Sequence, residues 1–148
     1  WEPALACLAD ARRRAQEADV ISHSALISAC DRGQRWRQGL LSLASARRLS
    51  LRPGAMAHTA TASACSAAAR WRQPLKLVSD FRECGAPPDM ALHHTALSGC
   101  EKGCRWQPAL QVLDCMRLQR FHSVIACSAA ISACEKGLQW MRALTLLV

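Results

Sequence analysis

The side chains most able to do chemistry in this chain of 148 residues are its nine cysteines and five histidines. Cysteine and histidine together bind zinc, and pairs of cysteines form disulfides. The best zinc candidate is Cys100 with Cys104, next to His93 and His94, but Gly103 breaks the helix between the two cysteines and no second local pair exists. Phosphate loops, nucleophile elbows and paired carboxylates are absent from the sequence. We therefore predict no metal, no cofactor and no enzyme activity.

Four of the cysteines recur at a fixed interval, and the tryptophans keep the same interval. The cysteines stand at 30, 65, 100 and 134, and the tryptophans at 1, 36, 71, 106 and 140. Two residue types with one period near 35 residues indicate an internal repeat. Equivalent residues of stacked helices lie about 8–10 Å apart, which is too far for a disulfide. We therefore expect these four cysteines to be free core residues, as suits a reducing compartment.

Each repeat contains two segments with helical periodicity. The first has apolar or buried positions at i, i+4 and i+7, as in His23, Ile27 and Cys30. The second begins at each tryptophan and has apolar positions at i, i+3, i+4 and i+7. We interpret the tryptophans, and the histidines at 23, 58 and 93, as core residues rather than as stacking platforms or ligands. Glycines at 33, 103 and 137 end the first segment, and we expect them in the left-handed conformation that follows many helices.

These patterns predict an all-α fold, an α-α superhelix in which about 35-residue helix–turn–helix repeats stack into a solenoid. We place a half repeat at 1–19, repeats at 20–54, 55–89 and 90–123, and a partial repeat at 124–148, in a single domain 1–148. Because the chain opens and stops inside a repeat, we expect it to be a fragment of a longer array.

The repeat resembles the pentatricopeptide repeat family over the whole chain. The similarity lies in the 35-residue period, the segment 20–27 that opens a unit, the Glu-Lys-Gly turn, and the Pro-Gly or Pro-Asp that closes a unit. Tetratricopeptide repeats, which bind proteins, have nearly the same length, but their Trp-x2-Leu-Gly-x2-Tyr signature is absent here. The unit 55–89 departs from the family pattern, because Ser66-Ala67-Ala68 replaces the Glu-Lys-Gly turn.

The resemblance implies binding of single-stranded RNA, with one base for each unit, read by two or three side chains. It also implies a role for three sets of positions. The base-selecting residues would be Ser24, Gly54, Thr59, Asp89, His94, Ser123 and Ser128. The residues that hold the base between neighbouring units would be Ile21, Met56, Ala91 and Ile125. The phosphate-contacting residues would be Arg32, Lys102 and Lys136.

The charge of the chain agrees with an RNA partner. Nineteen Lys and Arg against eleven Asp and Glu give a net charge of +8, which favours a polyanion. We predict a sequence-selective adaptor for single-stranded RNA without a membrane segment; the resemblance implies organellar RNA processing, stability or translation, in a mitochondrion or plastid and otherwise in the cytoplasm. Two alternatives stay open: a protein-binding helical scaffold, whose partners dock on the array, and the repeat part of a larger enzyme whose catalytic domain lies outside this chain.

The unit 55–89 carries the pair of selecting residues that can be interpreted most directly. By resemblance, a hydroxyl residue paired with Asp favours guanine, and one paired with Asn favours adenine. An ionised Asp is only an acceptor; guanine offers N1–H and N2–H donors, whereas adenine N1 is itself an acceptor. We therefore predict that Thr59 with Asp89 favours guanine. The alternative is that Asp89 only caps the following helix.

Overall fold

The computed structural model describes residues 2–4, 6, 20–49, 53–85 and 89–146. We number the helices of the described ranges from residue 20 onwards, and residues 2–4 and 6 are also helical. These helices are α1 Val20–Arg32, α2 Trp36–Arg48, α3 Ala55–Ala67, α4 Arg72–Glu83, α5 Met90–Lys102, α6 Trp106–Leu118, α7 Val124–Lys136 and α8 Trp140–Thr145. The described ranges contain no strand, so the predicted all-α class is confirmed. None of these helices is long and apolar enough to cross a membrane.

The chain forms two compact units, Trp1–Ala64 and Cys65–Val148, which meet inside α3. In the first unit α1 packs against α2. Gly39 on α2 lies against Cys30 and Thr61, whose side-chain atoms are 3.9 and 3.8 Å from the position that a Cβ on Gly39 would occupy. These are ordinary van der Waals distances, so the side chains of Cys30 and Thr61 pack closely around Gly39.

In the second unit, α5 packs against α4, α6 and α7, and α7 also packs against α6 and α8. In this unit α6 thus lies between α5, the first helix of its own repeat, and α7, the first helix of the next. The apolar core here is built from small and medium side chains. It consists of Leu97, Cys100, Ala109, Val112, Leu113, Met116, Ala126, Ala130 and Ala133.

The first helices bury the face that the periodicity predicted. The cysteines at 30, 65, 100 and 134 are all 0% exposed, and the histidines at 23, 58 and 93 are at most 2% exposed. Burial raises the pKa of the Cys65 and Cys100 thiols to about 11, so little thiolate exists at neutral pH. The described cysteines are free thiols. No group of three or more metal-ligating side chains forms among the residues of the described ranges.

The prediction that the tryptophans are core residues is wrong. Trp36, Trp71 and Trp106 are half-buried, and Trp140 is 68% exposed. The buried residues of α6 are Ala109, Val112, Leu113 and Met116, and α2 buries the corresponding positions 39, 42, 43 and 46. The helix α6 packs against both α5 and α7, and its buried residues extend towards its C-terminus. The tryptophan at its first residue lies at the rim, beside the turn.

The conformation predicted for the turn glycines is also wrong. Gly103 and Gly137 have φ of −82° and −86°, and the left-handed residue is the next one in the chain, with φ of 53° at Cys104 and 55° at Leu138. The turn is a Schellman motif. The Cys104 amide donates to the Glu101 carbonyl at 3.1 Å, and the Arg105 amide donates to the Cys100 carbonyl at 2.9 Å.

The glycines are needed for a different reason, which is contact with the tryptophan of the preceding repeat. A Cβ added to Gly103 would lie 2.8 Å from Cδ1 of Trp71, and one added to Gly137 would lie 2.5 Å from Cδ1 of Trp106. Both distances are shorter than real Cβ contacts. The indole rings of Trp71 and Trp106 therefore pack directly on the turn of the next repeat, and only glycine leaves room for them.

This contact predicts that Gly137→Ala destabilises the protein by about 1–3 kcal/mol, because the new methyl group meets the Trp106 ring. In a Trp106→Ala background the same substitution should be neutral, or stabilising by about 0.4–1 kcal/mol, because φ at residue 137 suits alanine. Urea unfolding of the single and double variants measures both values. Gly54→Ala is the matched control, because nothing lies within 4 Å of its added methyl. An equal effect of Gly137→Ala in both backgrounds would contradict the contact.

Candidate nucleic-acid interface

The face of each first helix opposite the buried stripe carries the positions expected to hold a base. Met56 is 82% exposed, Ile125 is 70% exposed, and Ala91 is also exposed. The side chain of Ile21, the fourth residue of this set, lies outside the described residues. Two large apolar side chains are thus presented to solvent at the same register position of two repeats. An apolar group in this position suits the flat face of a base.

The selecting positions lie one turn further along the same face. Ser128 is exposed, and Ser24, Thr59 and His94 are partly exposed. The Ser128 hydroxyl donates to the Val124 carbonyl of its own helix at 3.0 Å. Nε2 of His94 is buried and has no hydrogen-bond partner among the described residues. Because α5 packs against α7, His94 and Ser128 occupy matching positions on adjacent helices.

The closing residues of the units begin the next first helix. The Asp89 carboxylate accepts from the Ala91 amide at 3.0 Å, and the Ser123 hydroxyl accepts from the Ala126 amide at 3.3 Å. Gly54 is exposed and precedes α3 directly. The helix-capping function considered for Asp89 is therefore present in the structure.

The buried histidines fix the backbone of these closing residues. His58 donates from Nδ1 to the Gly54 carbonyl at 3.0 Å, and His93 donates from Nδ1 to the Asp89 carbonyl at 2.8 Å. We assign this tautomer to His58 because its Nε2 accepts from Nη2 of Arg47 at 3.0 Å. Sequence reasoning placed these histidines in the core but missed this function. The sequence signal that could have revealed this function is a constant spacing: His58 and His93 each stand four residues after the closing residue of the preceding unit.

The last repeat has lost this support, because Cys127 stands where the other units have histidine. The thiol is too short to repeat the bond that His93 makes to the backbone. A cavity of about 330 Å³ lies at this point, and Ser123, His122 and Phe121 line it together with Cys127. The closing residue Ser123 therefore rests beside open space rather than against a ring.

The predicted phosphate contacts stand at the ends of the first helices, and one of them is engaged in an ion pair. Nζ of Lys136 lies 2.9 Å from Oε1 of Glu101, which belongs to the preceding repeat, and the Ser132 hydroxyl donates to the same oxygen at 2.9 Å. The hydrogen bond from Lys136 lowers the pKa of Glu101, against the opposing effect of partial burial, and Ser132 adds to the lowering. The hydrogen bond to Glu101 in turn raises the pKa of Lys136.

Lys102 occupies the same register position as Lys136 but lacks the ion pair. The position equivalent to Glu101 in the preceding repeat is Ser66, whose hydroxyl donates instead to the Thr95 carbonyl at 2.8 Å. Lys102 is exposed and has no carboxylate within 4 Å among the described residues, and Arg32 is exposed at the end of α1. The irregular unit 55–89 thus leaves the lysine of the next repeat available to a phosphate.

The ion pair between Glu101 and Lys136 predicts a pH-dependent difference in stability between the native chain and Glu101→Gln. The depressed pKa of Glu101 stabilises the fold above the usual value of 4.5, and this contribution is lost as pH falls through the lower folded value. The raised pKa of Lys136 stabilises the fold below 10.5, and this contribution is lost as pH rises through the higher folded value.

The difference in unfolding free energy, measured by urea denaturation, should therefore form a plateau between these limits and shrink at both ends. Added salt should reduce the plateau, since the pair is open to solvent. A difference that is constant from pH 3 to pH 8 would show that the pair contributes nothing.

Comparison with known proteins gives one informative result. No protein-family model matches the sequence, and no curated protein matches it. Among solved structures, the crystal structure of the pentatricopeptide repeat protein PPR10 from maize is similar, with a TM-score of 0.81 and 13% sequence identity. The match covers 94% of this chain and 20% of that protein, so the chain spans about a fifth of its length. The chain thus has the fold of the pentatricopeptide repeat, an α-α superhelix of helix–turn–helix units.

Proposed function

We propose that this chain is an adaptor that binds single-stranded RNA along the exposed face of its first helices, about one base for each repeat. The observation that carries the proposal is the repeated register on this face. Exposed Met56 and Ile125 stand one turn before the selecting residues Thr59 and Ser128, and the first helices other than α3 end in a cation. Apolar groups beside a base, polar groups at its edge and cations at its phosphates are what single-strand binding requires.

The family resemblance suggests where such an adaptor acts. We propose organellar RNA processing, stability or translation, in a mitochondrion or plastid. The fold itself is typically non-catalytic, which favours an adaptor over an enzyme. A protein-binding scaffold is the second candidate, and the exposed apolar side chains at 56 and 125 are the observation that favours it, because apolar surface also binds proteins.

Titration of single-stranded RNA at several salt concentrations tests the proposal. Affinity should fall steeply with salt, because phosphate contacts release counterions. Saturable binding that does not depend on salt, or no binding to any single strand, would favour the scaffold.

The two lysines should differ in such a titration. Lys102→Gln should weaken binding and reduce the slope of log K against log salt by about 0.7, the value for one phosphate on a single strand. Lys136→Gln should have a smaller effect, because Glu101 already neutralises that cation. Glu101→Gln should strengthen binding, since it makes Lys136 available. Equal losses for both lysine variants, with no gain for Glu101→Gln, would contradict this distinction.

The pair Thr59 and Asp89 should determine the base read by the unit 55–89. We expect the chain to prefer oligouridine containing one guanine over the same strand containing one adenine, and Asp89→Asn to reverse the preference, by about 1–3 kcal/mol. Asn caps a helix as well as Asp does, so the melting temperature should not change. Fluorescence anisotropy with the two strands measures the preference. Equal affinity for both strands before and after the substitution would leave Asp89 with its capping function alone.

A further inference from the structure

An open cavity beside Trp71 has an unusual concentration of positive charge. It measures about 380 Å³ and is lined by Trp71, Ala69, Gln73 and three arginines, Arg70, Arg72 and Arg105. The guanidinium carbons of Arg72 and Arg105 lie 5.1 and 5.3 Å from the centre of the indole ring. No carboxylate is among the residues that line this cavity.

Two guanidinium groups on one ring repel each other unless an anion joins them. The indole face offsets part of this repulsion through cation–π attraction. The first turn of α4, which starts at Arg72, contains no acidic residue, and the amide end of the helix adds positive partial charge. The cavity therefore has the chemistry of an anion site, and the planar fork of arginine suits the oxygens of a phosphate.

Tryptophans of other repeats also carry arginines, but the set differs between repeats, and Trp36 has Arg37 at 5.1 Å from the centre of its ring. Trp106 has one guanidinium on its ring, that of Arg142 at 4.6 Å. Gln107 and Gln139 stand at the positions that correspond to Arg72 and Arg105. The same indole and the same glycine contact thus occur at Trp71 and Trp106, and of these two rings Trp71 has two arginines where Trp106 has one.

The cavity lies close in sequence to Lys102, the lysine of the proposed RNA face that is not in an ion pair within the described residues. Trp71 packs on Gly103, which directly follows Lys102, and Arg105 follows two residues later. We propose that the cavity holds a phosphodiester group of single-stranded RNA, next to the phosphate contacted by Lys102. This inference rests on the proposed function and adds a phosphate site beyond the three cations at the helix ends.

The test compares single-stranded RNA binding by the whole chain and by the double variant Arg72→Gln, Arg105→Gln. We expect affinity to fall about 10- to 100-fold, as for the loss of a charge-assisted hydrogen-bonded contact, and the salt slope to fall by about 0.7. Arg142→Gln is the matched control, because it removes one cation–π arginine from the neighbouring turn, and it should change affinity less than twofold. Arg72→Lys with Arg105→Lys should restore the slope without the full affinity, because lysine keeps the charge and loses the fork.

The possible outcomes distinguish failure of the proposed phosphate site from failure of RNA binding by the whole chain. If the native chain binds RNA and the Gln double variant binds equally well with the same slope, the cavity is not a phosphate site. The same conclusion follows if Arg142→Gln weakens binding as much as the double variant does. If poly-L-glutamate competes as well as RNA at equal charge, the site recognises negative charge in general and the assignment to phosphate is wrong. If the native chain binds no single strand, the proposed function fails, and this inference fails with it.

A direct measurement covers the case in which the Gln variant folds poorly. Pyrophosphate should raise the melting temperature of the native chain and of Arg142→Gln, since a ligand that binds only the folded state stabilises it. The same addition should not stabilise the Lys double variant to the same extent. Equal stabilisation of all three proteins would overturn the proposed site.

Discussion

The contact between each indole ring and the turn of the next repeat sets the spacing of the second unit. Trp71 on Gly103 and Trp106 on Gly137 place consecutive turns against each other, with no side chain between ring and backbone. Because the turn also ends the first helix, this contact fixes where the cations at 102 and 136 lie relative to the preceding repeat. The positions of possible phosphate contacts therefore depend on two apolar contacts between consecutive repeats.

The sequence allowed the fold class and the buried face of the first helices to be predicted, because periodicity reports which side of a helix is apolar. It could not identify the partner of each apolar residue. Trp71 and Gly103 have conventional explanations when read alone, as a core residue and as a left-handed turn residue, and both explanations were wrong. The true reason is a contact between repeats, which has no local signature. The ion pair between Glu101 and Lys136 was missed for the same reason.

The irregular unit 55–89 alters the surface charge of the repeat that follows it. Its Ser66 stands where the next repeat has Glu101, so no carboxylate pairs with Lys102 among the described residues, and its Arg72 lies with Arg105 of the next repeat beside the Trp71 ring. Loss of a consensus turn can be interpreted as decay of the repeat. Here it leaves Lys102 without the ion pair that Lys136 makes in the next repeat, so a departure from consensus has a definite electrostatic result.

The histidine bond to the closing residues Gly54 and Asp89 has a consequence for how such arrays change their targets. His58 and His93 hold the main-chain carbonyls of Gly54 and Asp89, two residues with very different side chains. The scaffold therefore forms its hydrogen bond to a main-chain carbonyl oxygen, which is present whatever the side chain is. A mutation at the closing position can alter the exposed chemistry while the supporting bond stays the same. Evolution, or a protein engineer, can exchange these residues one at a time without rebuilding the solenoid around them.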